Sequence, residues 1–182
     1  MTGFFSACRL TAMLCLSLIL ALTGTRVTAQ PKAPELAFVA RFNVTIGQPY
    51  IVGETAHGLR RIIPITGGTI EGPQLKGTIL PGGADWQIVR KDGVAEVEAH
   101  YQFRTDDGVT VYIKNVGLRV ATPEVAARIG RGEQVSPSEY YFRTAPKFEA
   151  PAGKYAWLND ALYIANAFRN PDNVVIEIWQ VR

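Results

Sequence analysis

The fold is decided by one stretch of the chain, GGTIEGPQLKGTILPGGADW at residues 67–86. It holds six glycines in twenty residues, apolar residues alternate through it, and it ends on a carboxylate beside a large aromatic residue. Glycine inside a strand costs backbone entropy, so this density is typical of turns, bulges and close approaches between backbones. Such features bend a sheet into a small barrel.

Strand patterns surround this stretch on both sides. Residues 94–105 alternate between apolar and polar side chains, and the turn signals KDG at 91–93 and DDG at 106–108 flank them. The pattern predicts further strands at 36–46, 59–66, 69–80, 85–90, 109–120, 140–148, 156–168 and 174–181. One helix is predicted after Thr122, which caps it, with Pro123 in its first position and Gly130 or Gly132 at its end.

About eight to ten short strands with tight turns and one short helix predict a mainly β protein. A single antiparallel β-barrel closes such a set without exposed edges, and a two-sheet sandwich is the alternative. No internal repeat or second domain is evident, so residues 36–182 are predicted to form one barrel domain after a mobile leader at 30–35.

The amino terminus has the pattern of a secretion signal. Arg9 supplies a positive charge, residues 10–22 are apolar, and Val27-Thr28-Ala29 precedes a predicted cut before Gln30. Residues 1–29 are therefore predicted to be a Sec-type signal peptide, with an uncleaved anchor helix as the alternative. Cleavage predicts a periplasmic or secreted protein that does not remain inserted in the membrane.

Removal of that segment changes the composition in two ways. Both cysteines, Cys8 and Cys15, leave with it, which excludes disulfides, cysteine nucleophiles and thiolate metal sites in the mature chain. Arg9 and Arg26 leave too and no acidic residue does, so the formal net charge of +3 falls to +1. A nearly neutral chain with scattered basic residues is not expected to bind nucleic acid.

A set of short motifs in a fixed order resembles the DUF3237 family, also called UPF0311. The motifs are PITGG at 64–68, GP at 72–73, Gly77, LPGGADW at 80–86, DG at 107–108, YYFRT at 140–144, Pro146, FE at 148–149, and Tyr155 with WLN at 157–159. The resemblance covers about 36–182 and implies a single small barrel similar to the calycins and lipocalins. Through a few relatives in natural-product pathways it also implies ring closure or isomerisation.

The catalytic candidates are Asp85, Tyr101 and Tyr141. A carboxylate held against Trp86 after a glycine turn has the setting for a raised pKa and for acid–base work. The alternative is that Asp85 accepts hydrogen bonds from turn amides and fixes a barrel corner. The tyrosine hydroxyls are candidates to donate to a developing oxyanion, and ordinary core packing is their alternative.

The predicted ligand-binding residues are Arg61, Trp86, Arg143, Trp157 and Asn159. The arginines lie in or beside apolar strands, where each is suited either to clamp an acidic group or to pair with a carboxylate of the barrel. No metal site and no cofactor are expected, since His57 and His100 show no ligand spacing and the glycines lack a phosphate-loop pattern.

Two functions of different classes remain open. One is a cofactor-independent isomerase, cyclase or lyase that acts on a small aromatic or carbonyl compound in the barrel mouth. The alternative is a periplasmic lipocalin-like module that binds a small apolar ligand without catalysis. A third possible function is that of an assembly protein whose barrel is plugged by side chains. An internal cavity would count against this function. The expected partner is a small molecule, and homo-oligomers are compatible with each function.

Overall fold

Residues 31–182, which the computed structural model describes, form ten β-strands and one α-helix. The elements are β1 (Leu36–Ile46), β2 (Tyr50–Thr55), β3 (Gly58–Glu71), β4 (Gly77–Ile79), β5 (Gly83–Val89), β6 (Ala95–Thr105), β7 (Thr110–Val120), α1 (Pro123–Gly130), β8 (Tyr141–Glu149), β9 (Tyr163–Arg169) and β10 (Asn173–Val181). The predicted signal peptide at 1–29 lies outside the described residues. Within 31–182, no helix has the length and apolar character needed to span a bilayer.

The strands form one antiparallel sheet that closes on itself. Its order runs β1-β10-β9-β8-β7-β6, then β4 and β5 in one shared position, then β3. β3 pairs back with β1 from Arg41–Glu71 to Ile46–Ile65, and this pairing closes a barrel of eight strand positions. β2 extends the sheet beyond β3. The predicted antiparallel barrel is confirmed, and the sandwich alternative is not formed.

The glycine-rich stretch bends the sheet as its composition predicts. Gly67 and Gly68 both have positive φ, and there β3 passes from pairing with β5 to pairing with β4 and β1. The separate strands predicted at 59–66 and 69–80 are therefore wrong in their boundaries. The glycine pair bends one continuous strand, β3, and only the short β4 follows it.

The second glycine pair, Gly82-Gly83, allows two strands to touch. Gly82 has φ +105°, a left-handed backbone conformation that favours glycine. A Cβ atom on Gly83 would lie 2.4 Å from the Cβ of Tyr101, so a side chain there has no room. This approach fixes β5 against β6 where Asp85 enters the barrel.

The alternation predicted for 94–105 is confirmed. Val97, Tyr101 and Phe103 point into the barrel and are at most 7% exposed, while the intervening side chains lie on the outer face. The predicted helix is confirmed too, because the Thr122 side chain accepts a hydrogen bond from the Val125 amide and Val125 packs inward.

The strand predicted at 156–168 is wrong in its first half. Residues Ala156–Asn159 form a short 3₁₀ helix, and β9 begins only at Tyr163. The Asn159 side chain accounts for this, because its Oδ1 accepts from the Ala150 amide (2.8 Å) and its Nδ2 donates to the Ala150 carbonyl (2.9 Å). The exposed strand β2 was not predicted, because its apolar residues 50–52 cover no core.

Aromatic side chains fill one end of the barrel. The Phe42 and Phe103 rings meet edge to face at 5.4 Å, and Phe148 contacts Tyr163 in the same way at 4.9 Å. Leu75 and Leu158 cover this end and are almost fully buried. The aromatic end is therefore packed shut, and any cavity has to lie at the opposite end.

Candidate functional site

The opposite end of the barrel interior holds a cavity of about 350 Å³. Its mouth is framed by the loop after β1 (Gly47 and Pro49), by the last turn of α1, and by Pro171 and Asp172 of the β9–β10 turn. Its apolar wall includes Val97. The volume lies at the small end of the range for ligand pockets, roughly 300–1,000 Å³. The barrel is therefore not plugged, which counts against the assembly interpretation.

Polar side chains reach this cavity from six strands that are neighbours around the barrel. They are Arg61 on β3, Asp85 and Gln87 on β5, Tyr101 on β6, Asn115 and Arg119 on β7, Thr144 on β8 and Arg169 on β9. Each occupies an inward position of its strand, because side chains two residues apart share a face. Three guanidinium groups and one carboxylate thus converge inside a single barrel.

A chain of hydrogen bonds orients the carboxylate. Arg61 donates from Nε (2.8 Å) and Nη2 to the Oε1 atom of Gln87, its cross-strand neighbour. Because Oε1 is occupied, the amide nitrogen of Gln87 points to Asp85 and donates to Oδ2 at 2.9 Å. Arg61 therefore acts on Asp85 through Gln87, and the carboxylate is held in one orientation.

The second oxygen of Asp85 completes the strand pairing. In the β5–β6 pairing, Asp85 lies opposite Ala99, and the next pair is Ile88 with Glu96. Trp86 and Gln87 therefore have no partner residue on β6. The Glu98 amide in this gap donates to Asp85 Oδ1 at 2.9 Å. The structural alternative is thus right in part: Asp85 accepts from a backbone amide, but the amide belongs to β6 and not to the Gly82-Gly83 turn.

Burial sets the protonation of this carboxyl group. Desolvation raises the pKa of Asp85, and the hydrogen bonds from Glu98 and Gln87, together with the charges of Arg119 and Arg61, oppose the shift without cancelling it. A raised pKa favours the neutral acid, which has a proton to donate. Asp85 therefore combines a fixed orientation with the protonation bias of a general acid.

The arginines at this end are short of partners. Arg119 is 8% exposed, and no described residue forms a hydrogen bond or an ion pair with its guanidinium. Burial, together with the charges of Arg61 and Arg169, lowers the pKa of Arg119 to about 10. Burial also lowers the pKa of Arg169, whose buried Nη1 has no hydrogen-bond partner among residues 31–182. At neutral pH both remain charged.

Three further polar atoms in the cavity wall are buried without a partner among the described residues. They are the Tyr101 hydroxyl, the Asn115 Oδ1 and the Thr144 Oγ1. A buried polar atom left unpaired costs roughly 1–3 kcal/mol, so such atoms are uncommon in a core that serves packing alone. They are the groups with which a bound molecule would form hydrogen bonds.

Three of the predicted site residues lie together in the cavity, and the others lie outside it. Asp85, Tyr101 and Arg61 line the cavity. Trp86, Tyr141 and Arg143 lie on the outer face of the barrel, with Trp86 39% and Tyr141 52% exposed. Their placement at the site is therefore wrong, because Asp85, Phe142 and Thr144 take the inward positions and adjacent strand residues face opposite ways.

Trp157 and Asn159 do not reach the cavity either. Both lie in the 3₁₀ helix between β8 and β9, where Trp157 packs against the core and Asn159 caps Ala150. Their role in the structure is to shape the β8–β9 connection. No described group of three or more His, Asp or Glu side chains is placed to hold a metal ion.

Arg119 and Arg169 were missed at the sequence level, although strand alternation marks both. Arg119 shares the parity of the buried Val111 and Ile113 on β7, and Arg169 shares that of Tyr163 and Ala165 on β9. An arginine that keeps the inward phase of an apolar strand is the signal that would have found them. Each lies at the end of its strand, where alternation is easily mistaken for a strand boundary.

The arrangement has counterparts in known proteins. A family model described as "Protein of unknown function (DUF3237)" matches residues 34–181. The chain belongs to the DUF3237 family. A UPF0311 protein of Rhodopseudomonas palustris is 44% identical to it over 147 residues, which cover 81% of this chain and 96% of that protein. The predicted family membership is confirmed.

Solved structures support the barrel of this DUF3237 chain. A crystal structure of a conserved protein of unknown function from R. palustris matches it with a TM-score of 0.79 at 42% identity, covering 84% of this chain and 100% of that one. A crystal structure from Acinetobacter baumannii, described as a beta-barrel like protein, matches with a TM-score of 0.73 at 38% identity, covering 84% and 98%.

A more distant relative of this DUF3237 chain is named as an enzyme. The hydroalkoxylation enzyme phnH of Penicillium herquei is 27% identical over 161 residues, which cover 86% of this chain and 90% of that protein. A crystal structure of an enzyme from P. herquei matches with a TM-score of 0.64 at 25% identity, covering 85% and 98%. A protein with a fold similar to that of this chain is therefore described as an enzyme.

Proposed function

We propose that this protein is an acid–base catalyst that cyclises or isomerises a small organic molecule inside the barrel, with Asp85 as the proton donor. The observation that carries the proposal is the setting of Asp85 in the cavity. Burial raises its pKa, two hydrogen bonds fix its orientation, and the unpaired Tyr101 hydroxyl lines the same cavity.

The roles of the other residues follow from their contacts. Gln87, itself held by Arg61, keeps Asp85 Oδ2 in position. Tyr101 is fully buried, and burial raises the pKa of its hydroxyl far above the neutral range, so it acts as a hydrogen-bond donor and not as a base. A hydrogen-bond donor held in a fixed position stabilises charge that develops on a substrate oxygen.

The proposed reaction leaves the atoms of the substrate unchanged in number. Asp85 gives its proton to one carbon of a double bond, and a hydroxyl oxygen of the same substrate bonds to the neighbouring carbon. The hydroxyl proton then passes to the Asp85 carboxylate, which restores the acid. Nothing is oxidised or reduced, and the product is an isomer of the substrate. Hydroalkoxylation, the activity for which the P. herquei relative is named, is an addition of this kind.

Deuterium incorporation tests this function. The purified protein is incubated in D₂O with 2-allylphenol and 3-allyl-4-hydroxybenzoate, and the products are analysed by mass spectrometry and NMR. Since the Asp85 proton exchanges with solvent, each turnover is expected to place one deuterium on carbon. The rate is expected to fall as pH rises through the raised pKa of Asp85, because the carboxylate has no proton to give.

The matched variants are Asp85→Asn and Glu96→Gln. Asp85→Asn keeps the side-chain shape and is expected to abolish deuterium incorporation. Glu96→Gln removes a carboxylate from the outer face of β6 and is expected to change nothing. Equal rates in wild type and Asp85→Asn would overturn the assignment of Asp85. Saturable binding without deuterium incorporation would favour the alternative of a binding module.

The proposed place of action is the periplasm or the extracellular space, which rests on the secretion signal predicted at 1–29. Expression in a Gram-negative host with a carboxyl-terminal tag, followed by fractionation, tests it. The expected product is periplasmic and begins at Gln30. A full-length cytosolic product would contradict export and leave the chemistry of the barrel unaffected.

A further inference from the structure

The cavity also specifies which molecules enter it. We infer that Arg119 and Arg169 form a receptor for a carboxylate of the ligand, so that the molecules bound are small organic acids with an apolar body. This inference rests on the proposed function for its choice of cavity and adds the substrate class. It is carried by the burial and the charge of these two arginines and by the donors that each leaves unpaired within residues 31–182.

Charge balance is the first argument. Arg61, Arg119 and Arg169 face a cavity in which Asp85 is the carboxylate among them, and the raised pKa of Asp85 favours its neutral form. Of the other charged groups that line the cavity, Arg131 pairs with Glu133. Asp172 lies at the mouth, where its charge attracts Arg169 and opposes the lowering of the pKa of Arg169 by burial, although the two side chains form no ion pair. Buried charges are normally paired, so an excess of positive charge calls for an anion.

The three arginines also differ in what they already bind. Arg61 is engaged with Gln87 through two of its nitrogens. Arg119 has no hydrogen-bond or ion-pair partner for its guanidinium among the described residues, and Arg169 has an unpaired buried Nη1. Arg61 therefore serves to position Gln87 and Asp85, and the other two have donors to offer. Guanidinium groups bind carboxylates through paired, charge-assisted hydrogen bonds.

The third argument is the character of the surrounding wall. Thr144 and Asn115 add unpaired polar atoms beside the arginines, whereas Val97, Phe142 and Ile176 supply apolar surface. A ligand that satisfies this cavity has one acidic end and an apolar body. The volume of about 350 Å³ limits that body to a small one. A carboxylate bound to Arg119 and Arg169 places the rest of such a molecule beside Asp85 in the same cavity.

The test uses benzoate and its neutral counterpart benzyl alcohol as probes, titrated calorimetrically into the full barrel. Benzoate is expected to bind at least tenfold more tightly than benzyl alcohol. Arg119→Met and Arg169→Met are each expected to weaken benzoate binding by about 10- to 100-fold, the loss typical of a charge-assisted hydrogen bond. Arg104→Met, on the outer face of β6, is the matched control and is expected to bind benzoate as wild type does.

Two further variants keep the test decisive. Arg119→Lys retains the charge and loses the paired geometry, so it covers the case in which Arg119→Met does not fold, and an intermediate affinity is expected. Asp85→Asn is expected to retain benzoate binding. Equal affinities for benzoate and benzyl alcohol, or unchanged benzoate binding in both Arg119→Met and Arg169→Met, would overturn the receptor.

The two proposals fail in different ways. If benzoate binds through the arginines but no allyl compound gains deuterium, the receptor stands and the acid–base function falls. If 2-allylphenol gains deuterium as fast as 3-allyl-4-hydroxybenzoate and benzoate does not bind, the function stands and the receptor is wrong. Phenyl phosphate serves as a second anion, and tighter binding of phenyl phosphate than of benzoate would contradict a receptor shaped for carboxylates.

Discussion

The two ends of the barrel interior are built from the same strands. They differ in the side chains that these strands direct inward. At the aromatic end, Phe103 and Phe148 pack edge to face, with ring centroids 6.2 Å apart. At the cavity end, Arg119 and Arg169 point inward, and neither guanidinium forms an ion pair with another residue of 31–182. The first end supplies the hydrophobic stabilisation of the fold. The second carries buried charge that costs stability, as is expected of a site shaped for binding.

The largest expected effect is at the aromatic end. Phe103 is fully buried against Phe42 and Phe148, so Phe103→Ala is expected to lower the free energy of unfolding by about 3–5 kcal/mol. Phe142→Ala, whose side chain already borders the cavity, is expected to cost less. Urea denaturation of both variants measures the difference. Equal losses would show that the two ends contribute alike to stability.

The next largest effect is an increase in stability, on replacing a buried arginine at the cavity end. Arg119 is a buried charge without an ion pair among residues 31–182, so Arg119→Met is expected to increase the free energy of unfolding by about 1–4 kcal/mol. The same variant is expected to lose benzoate binding. Thermal unfolding with a parallel titration measures both. A less stable Arg119→Met protein would mean that Arg119 supports the fold and not the site.

The boundary between the ends is sensitive to volume at Gly83. A Cβ atom there would meet the Tyr101 Cβ at 2.4 Å and the His100 carbonyl oxygen at 2.5 Å. Gly83→Ala is therefore expected to cost about 1–3 kcal/mol through overpacking. Gly130→Ala is the matched control, because Gly130 has open space around it and, like Gly83, no positive φ. Similar denaturation midpoints for the two variants would contradict the close contact.

The smallest effect is a dependence on pH. Folding raises the pKa of Asp85, so the folded protein holds this proton more tightly than the unfolded chain does. The contribution of Asp85 to stability is complete below its unfolded pKa and is lost as pH rises through the folded pKa. The free energy of unfolding of the wild type, measured relative to that of Asp85→Asn, is therefore expected to fall with rising pH. A series of melting curves from acidic to neutral pH measures it, and a rise instead would contradict the shift.

The barrel was predictable from the sequence because alternation and turn residues act locally. The β6 pattern and the Thr122 cap each depend on near neighbours, and both predictions are confirmed. Interruptions were harder to place. The glycine pair at 67–68 bends β3 without ending it, and a 3₁₀ helix replaces the start of the strand predicted at 156–168.

The candidate site was predictable only in part, because it is assembled from single residues on distant strands. Asp85, Tyr101 and Arg61 were identified correctly as residues of the cavity. Trp86 was not, because it follows the inward-facing Asp85 directly on β5 and therefore faces outward. Arg143 was selected as an arginine in an apolar strand, a description that fits Arg119 equally well. The alternation of β7, in which Arg119 shares the phase of Val111 and Ile113, shows that Arg119 points inward.

The bond between the Glu98 amide and Asp85 Oδ1 gives the protein an internal indicator of its own chemistry. The chemical shift of an amide proton that donates to a carboxyl group depends on whether that group carries a charge. The NMR signal of the amide therefore moves as the carboxyl group titrates. The Glu98 amide therefore reports the protonation state of Asp85 from the strand beside it. A pH titration of one backbone signal, with no substrate present, follows the acid through its titration.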